Sequence, residues 1–306
     1  MDLRPAPKVP AFYFSLDMPQ ADEKKLFTSR RVIELTASPL VMGILNVTPD
    51  SFSDGGRKMT VDDALRAAEQ MVEEGVDIID IGGESTRPTA SKISADEETA
   101  RTQPVIEALA KRFDVPISID TTKSDVASAA LNSGAEIVND ISGLRFDPDL
   151  ASVVSSHKAA LVLMHLRGTF ETMHSQEPVD EILPEVISGL RTSIGTAMAA
   201  GIESSRMVID IGIGFSKTVE QNLELIARLD EICDAFPGYP MLVGASRKSF
   251  IGRILDDAPS DKRLYGTLAA HLIALWNGAD ILRVHDVREA VESLRVVAAL
   301  KTARQE

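Results

Sequence analysis

A single cysteine, Cys233, stands among the 306 residues, so an intramolecular disulfide is excluded. It lies in the apolar helical pattern L-D-E-I-C-D-A-F and reads as a small core residue. No apolar run approaches the roughly 18 residues that a bilayer span requires. The N-terminus also lacks the basic, apolar and small-residue order of a signal peptide. These absences point to a cytoplasmic protein with no membrane partner. Basic charge is scarce as well: 32 Lys and Arg against 46 Asp and Glu leave a net charge of −14, which argues against a nucleic-acid footprint. An anionic small molecule is still admissible, provided that a local basic island receives it.

What is present is a long series of short apolar runs. With 44% hydrophobic residues the chain can bury a full core, as one large domain or two small ones. The runs alternate with amphipathic stretches, the pattern of repeated βα units around a buried parallel sheet. Strands are predicted at 40–46, 76–82, 115–120, 135–141, 159–165, 206–211, 240–246 and 279–285. Between them lie helical patterns such as 60–74, which opens on Thr60 as an N-cap and stops before Gly75. Three joints share one form, E-G-V-D-I, S-G-A-E-I and N-G-A-D-I, each a glycine stop followed at once by a strand. Eight such units over residues 40–306 predict an α/β protein of the (β/α)₈ TIM-barrel class, with a doubly wound open sheet as the alternative. Residues 1–39 break the pattern and read as an extension that caps the barrel, with a small hairpin within 24–38.

In a barrel of this class the site is built from the C-terminal ends of the strands. Those ends are consistently polar here: Asn46, the segment 82–88, Asp120, Asn139 with Asp140, His165, Asp210, Ser246 with Arg247 and Lys248, and Arg283 with His285. So many polar groups converging on one mouth would be left unpaired unless a polar ligand filled the centre. Asp120, Asn139 and Asp210 suit a flat heterocycle bearing amide and amine groups. Arg87, Lys217, Arg247, Lys248, Arg283 and His285 could form the basic island, suited to phosphate or carboxylate. The piece G-I-G-F-S-K-T at 212–218 fits neither of the common phosphate-loop patterns. His165 reads equally as the floor of a site or as a core histidine bonded to backbone, and Lys217 as facing the site or the solvent. His271 and Trp276 read as packing residues, the acidic runs at 96–98 and 179–182 as solvated helix faces, and His157 and His174 carry no motif.

Six segments, taken together and in order, carry a resemblance. G-I-L-N-V-T-P-D-S-F-S-D-G-G, G-G-E-S-T-R-P, I-D-T-T-K, N-D-I-S-G, S-R-K-S-F-I-G and R-V-H-D-V resemble the dihydropteroate synthases of folate biosynthesis, over about residues 24–300. That resemblance implies a transferase that joins 6-hydroxymethyl-7,8-dihydropterin pyrophosphate to p-aminobenzoate, using Mg²⁺ and inhibited by sulfonamides. It implies Asp120, Asn139, Asp210 and Lys248 around the pterin, and Asn46, Arg283 and His285 on the pyrophosphate. Phe52, Thr86, Arg87, Pro88, Phe215 and Ser246 would face the p-aminobenzoate, and Asn46 with Asp54 would hold the metal. Asp120, Asp210, Lys248, Arg283 and His285 would carry the catalysis, in a homodimer formed through the late barrel helices. The sequence departs from the family pattern at Ile211, Thr89 and Phe170, where Pro, Gly and Pro are usual. Ile211 lifts a rigid φ restraint beside Asp210. Ile211 and Thr89 motivate one competing reading, a non-catalytic pterin-binding module. A second, a methyltetrahydrofolate-to-corrinoid methyltransferase, shares the pterin slot but has no need of the R-x-H at 283–285.

Overall fold

The computed structural model describes residues 24–35, 39–48, 60–87 and 90–305. The chain opens with a short antiparallel hairpin, β1 (Lys25–Phe27) and β2 (Val32–Glu34). Then follow β3 (Leu40–Asn46), α1 (Val61–Glu74), β4 (Ile78–Gly82), α2 (Ala95–Arg112), β5 (Ile117–Asp120), α3 (Ser124–Ser133), β6 (Ile137–Asp140), α4 (Leu150–Ser156) and β7 (Ala160–Met164). The remainder is α5 (Ile182–Ala199), β8 (Met207–Asp210), α6 (Val219–Ala227), α7 (Leu229–Ala235), β9 (Met241–Val243), α8 (Ser249–Ile254), α9 (Leu264–Trp276), β10 (Ile281–Val284) and α10 (Val287–Gln305). Strands β3 to β10 are parallel neighbours in chain order, and β10 pairs with both β9 and β3, which closes the barrel and excludes the open sheet. Two connections carry a pair of helices each, α6–α7 and α8–α9, where the sequence pattern suggested one. Strand β9 is also shorter than the predicted 240–246: beyond Val243 the chain turns, with the Lys248 N–H bonded to the Ala245 carbonyl at 3.2 Å.

The barrel follows from strict alternation along each strand. Val41, Ile79, Ile81, Val138, Leu161, Ile209 and Val243 point outward into the core shared with the helices. Met42, Ile78, Ile137, Val162, Val208, Leu242 and Ile281 have the opposite parity and fill the lower lumen, where Leu26 and Leu35 of the hairpin segment plug its end. Helix α1 begins as the sequence suggests, with Thr60 and Asp63 forming a reciprocal capping box. Its terminal Gly75, like Gly134 and Gly278 in the other two joints, takes left-handed φ values of +93°, +118° and +108°. That conformation reverses the chain from helix to strand in one residue and favours glycine.

The acidic residue of each joint also has a fixed partner. Asp77 accepts the Val41 N–H at 2.8 Å, and Asp280 accepts the Met241 N–H at 2.7 Å and an ion pair from Lys24 at 2.7 Å. Glu136 accepts the Thr28 hydroxyl at 2.7 Å and the Arg31 Nε at 3.1 Å. The hairpin is therefore tied to the lower end of the barrel by ion pairs and hydrogen bonds as well as by apolar packing.

Candidate active site

Two residues further along the inward-facing parity, the lumen changes character. Above Ile78, Ile137, Val208 and Ile281 stand Asp80, Asn139, Asp210 and Arg283, and Asp120 ends β5 on the same side. Arg283 reaches across from β10, its Nε 2.7 Å from Asp80 Oδ2 and its Nη2 2.6 Å from Asp120 Oδ2. Asn139 Nδ2 donates to the same Asp80 oxygen at 3.0 Å. Two carboxylates thus share one guanidinium, and Asp80 Oδ1 has no hydrogen-bond partner although the residue is fully buried. Burial pushes the Asp120 carboxyl up to about 7 against the pull of Arg283, with Asp80 adding to the rise.

Asp210 is aimed by its own turn. Its Oδ1 accepts the Gly212 N–H at 2.7 Å, and its pKa is raised by burial. Gly212 sits at φ +68°, and a Cβ there would stand 2.0 Å from the His165 carbonyl oxygen, so only glycine lets the chain double back. Ile211 is fully buried in the helix-packed core and fixes the turn from the other side, in place of the φ restraint a proline would supply.

Lys248 precedes α8. Its Nζ lies 4.0 Å from the Phe215 ring centre, and burial lowers its pKa to about 8. Ser246 Oγ accepts the His285 backbone N–H at 3.1 Å and lies 2.9 Å from His285 Nδ1. Burial, with Arg247 and Arg283 nearby, lowers the imidazole pKa to about 3, so it is neutral at physiological pH. When the Ser246 hydroxyl donates to Nδ1, the ring proton sits on Nε2. Asn46 and Asp120 flank Gly82, where an added Cβ would come within 3.3 Å of Asn46 Oδ1.

The basic island is smaller than the sequence suggests. Lys217 is half-buried and already engaged: its ammonium donates to the carbonyls of Gly212 at 2.9 Å and Phe215 at 3.0 Å, and burial lowers its pKa to about 7. Arg247 is engaged by Asp286, at 3.0 Å and 2.5 Å. With His285 neutral and Arg87 exposed, Arg283 and Lys248 are the members of the predicted island that remain, among the described residues, as cations inside the mouth. Glu98 is not on a solvated face either. It is buried, accepts Lys123 Nζ at 2.5 Å and leaves its Oε1 unpartnered. Lys123 also pairs with Glu84 at 3.0 Å, and Glu84 accepts the Ile93 N–H at 2.7 Å, so this cluster clasps both ends of the loop after β4. His165 is buried, but its ring makes no backbone hydrogen bond: Nδ1 is unpartnered, and the ring packs on Gly189.

Asn46, Asp120, Asn139, Asp210, Ser246, Lys248, Arg283 and His285 line one mouth, with Phe215 beside Lys248 and with Thr86 and Arg87 on the loop after β4. Phe52, Asp54 and Pro88 lie outside the described residues. Asp80, which orients Arg283, carried no signal of its own, because it lies inside the apolar run V-D-I-I-D-I-G.

Comparison with known proteins agrees with this geometry. The profile of the pterin binding enzyme family matches residues 42–285. A dihydropteroate synthase from Synechocystis sp. is 46% identical over 260 residues, covering 85% of this chain and 89% of that one. The structure of the Yersinia pestis dihydropteroate synthase with a sulfonamide drug superposes with a TM-score of 0.85 at 40% identity, covering 91% of this chain and 99% of that one. A Xanthomonas albilineans dihydropteroate synthase, solved with 4-aminobenzoic acid, gives 0.84 at 41% identity, covering 91% and 98%. An acceptor-rich lumen closed over by one arginine, on a chain this similar along most of its length, places the protein in the pterin binding enzyme family, among the dihydropteroate synthases.

Proposed function

We propose that the barrel mouth condenses 6-hydroxymethyl-7,8-dihydropterin pyrophosphate with p-aminobenzoate, giving 7,8-dihydropteroate and pyrophosphate. The observation that carries this reading is the surplus of buried carboxylate over cation around Arg283. Asp120, Asp210 and the Asn139 amide offer acceptors to the N–H groups of a pterin. The same carboxylates favour the positive charge that grows as the C–O bond to pyrophosphate breaks and its electron pair leaves with the phosphate. The arylamine nitrogen then bonds to the pterin methylene and loses its proton to the surroundings. Arg283, the His285 Nε2–H and Asn46 receive the departing pyrophosphate, while Lys248 supplies charge between the two substrates.

Among the described residues, no group of three His, Cys, Asp or Glu side chains is placed to hold a metal by itself. A donor set of Asn46 and Asp54 fits a Mg²⁺ carried in on substrate phosphates, because this ion takes hard oxygen ligands and needs few from the protein. When bound, Mg²⁺ neutralises charge on the leaving group. Phe215, Ser246, Thr86 and Arg87 supply the described part of the p-aminobenzoate wall, to which the family resemblance adds Phe52 and Pro88, and sulfonamides compete for it, as suits a relative solved with such a drug.

The exposed Tyr265, Ile273 and Trp276 of α9, with Val296 and Leu300 of α10, form an apolar face that a second copy covers in a homodimer. No helix among the described residues is long and apolar enough to cross a membrane, and the reaction belongs in the cytoplasm.

The test is pyrophosphate release, with and without p-aminobenzoate and with and without Mg²⁺. Release that needs both, in step with dihydropteroate, is the expected result. Binding of both substrates with no release would overturn the proposal in favour of a binding module.

A further inference from the structure

The segment between β7 and α5, residues 165–181, lies beside the mouth and carries no catalytic motif, yet it is firmly anchored. Met173 is buried with Phe170 and Phe215 in an apolar cluster above the barrel. The Ser216 hydroxyl lies 2.8 Å from the Met173 carbonyl oxygen and 2.9 Å from that of Arg167, sharing its proton between them. Around this anchor the chain bonds to itself: the Thr169 N–H donates to Thr172 Oγ1 at 2.9 Å and the Ser175 N–H to the Thr172 carbonyl at 3.0 Å. The residue after Met173 therefore has a fixed position, and it is His174.

Its imidazole makes two contacts across loops. The ring stacks on Phe215, with centroids 5.9 Å apart and planes inclined by 25°. Its Nε2 lies 2.8 Å from the Thr86 carbonyl oxygen, on the loop after β4. Lys248 Nζ is 4.0 Å from the centre of the same Phe215 ring. A continuous chain of contacts, Thr86 to His174 to Phe215 to Lys248, thus joins the β4–α2 loop to the wall of the mouth. Lys92 adds a second contact to the same segment, 5.8 Å from the Phe170 ring centre.

We infer that His174 is a positioning residue that holds the β4–α2 loop docked against Phe215, and so sets the affinity of the pocket for p-aminobenzoate and for sulfonamides without touching the pterin. This inference rests on the synthase reading for its ligands, though not for the loop contact itself. The physical basis is population: ligands that need the docked loop bind more weakly in proportion to the fraction of molecules in which it is docked. Loss of one exposed hydrogen bond lowers that fraction by a small factor.

The experiment compares His174→Ala, His174→Gln and His174→Phe with the wild type in steady-state kinetics. His174→Ala is expected to raise the KM for p-aminobenzoate about fivefold, and the sulfonamide inhibition constant by the same factor. The KM for the pterin substrate and kcat stay within about twofold of wild type. His174→Gln, which keeps an N–H donor, restores the wild-type value, and His174→Phe, which keeps only the ring, does not. An unchanged p-aminobenzoate KM in His174→Ala, or a parallel rise for the pterin substrate, overturns the inference. Hydrogen exchange at the amides of residues 84–87, measured on the same proteins without substrate, gives a readout independent of turnover. Faster exchange in His174→Ala than in wild type supports the inference and equal exchange refutes it, even if the wild type forms no dihydropteroate.

Discussion

The two ends of the barrel lumen are built by the same strands and the same inward-facing parity, and they treat charge in opposite ways. At the lower end the lumen is apolar, and each acidic residue at a strand entrance has donors of its own: Asp77 and Asp280 take strand N–H groups, and Glu136 takes Thr28 and Arg31. At the mouth Asp80 and Asp120 share one arginine and Asp80 Oδ1 has no partner, while burial raises the carboxyl pKa at both ends, of Asp77 below and of Asp120 and Asp210 above. Satisfied charge secures the fold, whereas unsatisfied charge is held ready for a ligand. The difference arises within a two-residue step, from Ile78 to Asp80 and from Ile281 to Arg283.

The largest effect is expected at Asp120. Asp120→Asn keeps the shape and removes the charge that faces the developing cation, so kcat falls about 100- to 1,000-fold while the melting temperature does not drop. Parallel turnover and melting measurements check this, and wild-type turnover in the variant would remove Asp120 from the chemistry. The opposite signature belongs to the lower end. Ile137→Ala opens a cavity under the polar layer and costs about 3 kcal/mol of stability, read by denaturant titration, with kcat kept.

The pH dependence sharpens the contrast. Asp120 must be ionised and Lys248 charged, so kcat/KM for the pterin substrate rises towards about pH 7 and falls above about pH 8. Lys248→Arg moves the upper limb out of range and leaves the lower one in place. The stability sign is opposite to that of a salt-bridged carboxylate. Because folding raises the Asp120 pKa from 3.8 to about 7, its contribution is fully present below the lower value and is lost as pH climbs through the upper one. Asp120→Asn flattens that part of the stability curve. The smallest effect is expected at the rim, where Asn46→Ala raises the Mg²⁺ concentration for half-maximal rate about tenfold. An unaltered Mg²⁺ titration would take Asn46 out of the ligand set.

The fold was legible because each barrel strand is an apolar run with a polar end, and because three glycine joints mark where helices stop. The mouth was legible for the same reason, since a polar residue closing a buried strand is conspicuous. Asp80 was not, because isoleucines on both sides hide it within its run. For Lys217 and Arg247 the sequence shows a charged side chain but not what already engages it: loop carbonyls for one, Asp286 for the other. Glu98 lies in an acidic run whose neighbours are exposed, and only the turn of α2 carries it inward to Lys123. His174 sits in a segment with no periodicity, where position depends on the distant Ser216 and Phe215.

Trp276 is the only tryptophan in the chain, and it lies part-exposed on the apolar face of α9, on the barrel exterior and away from the mouth. Excited near 295 nm, the protein therefore emits from one site that substrates do not touch. If the proposed homodimer covers that face, the emission maximum shifts to shorter wavelength as protein concentration rises, and it holds steady as pterin or p-aminobenzoate is added. Self-association and ligand binding can then be followed as separate optical signals in a single cuvette, with no label attached.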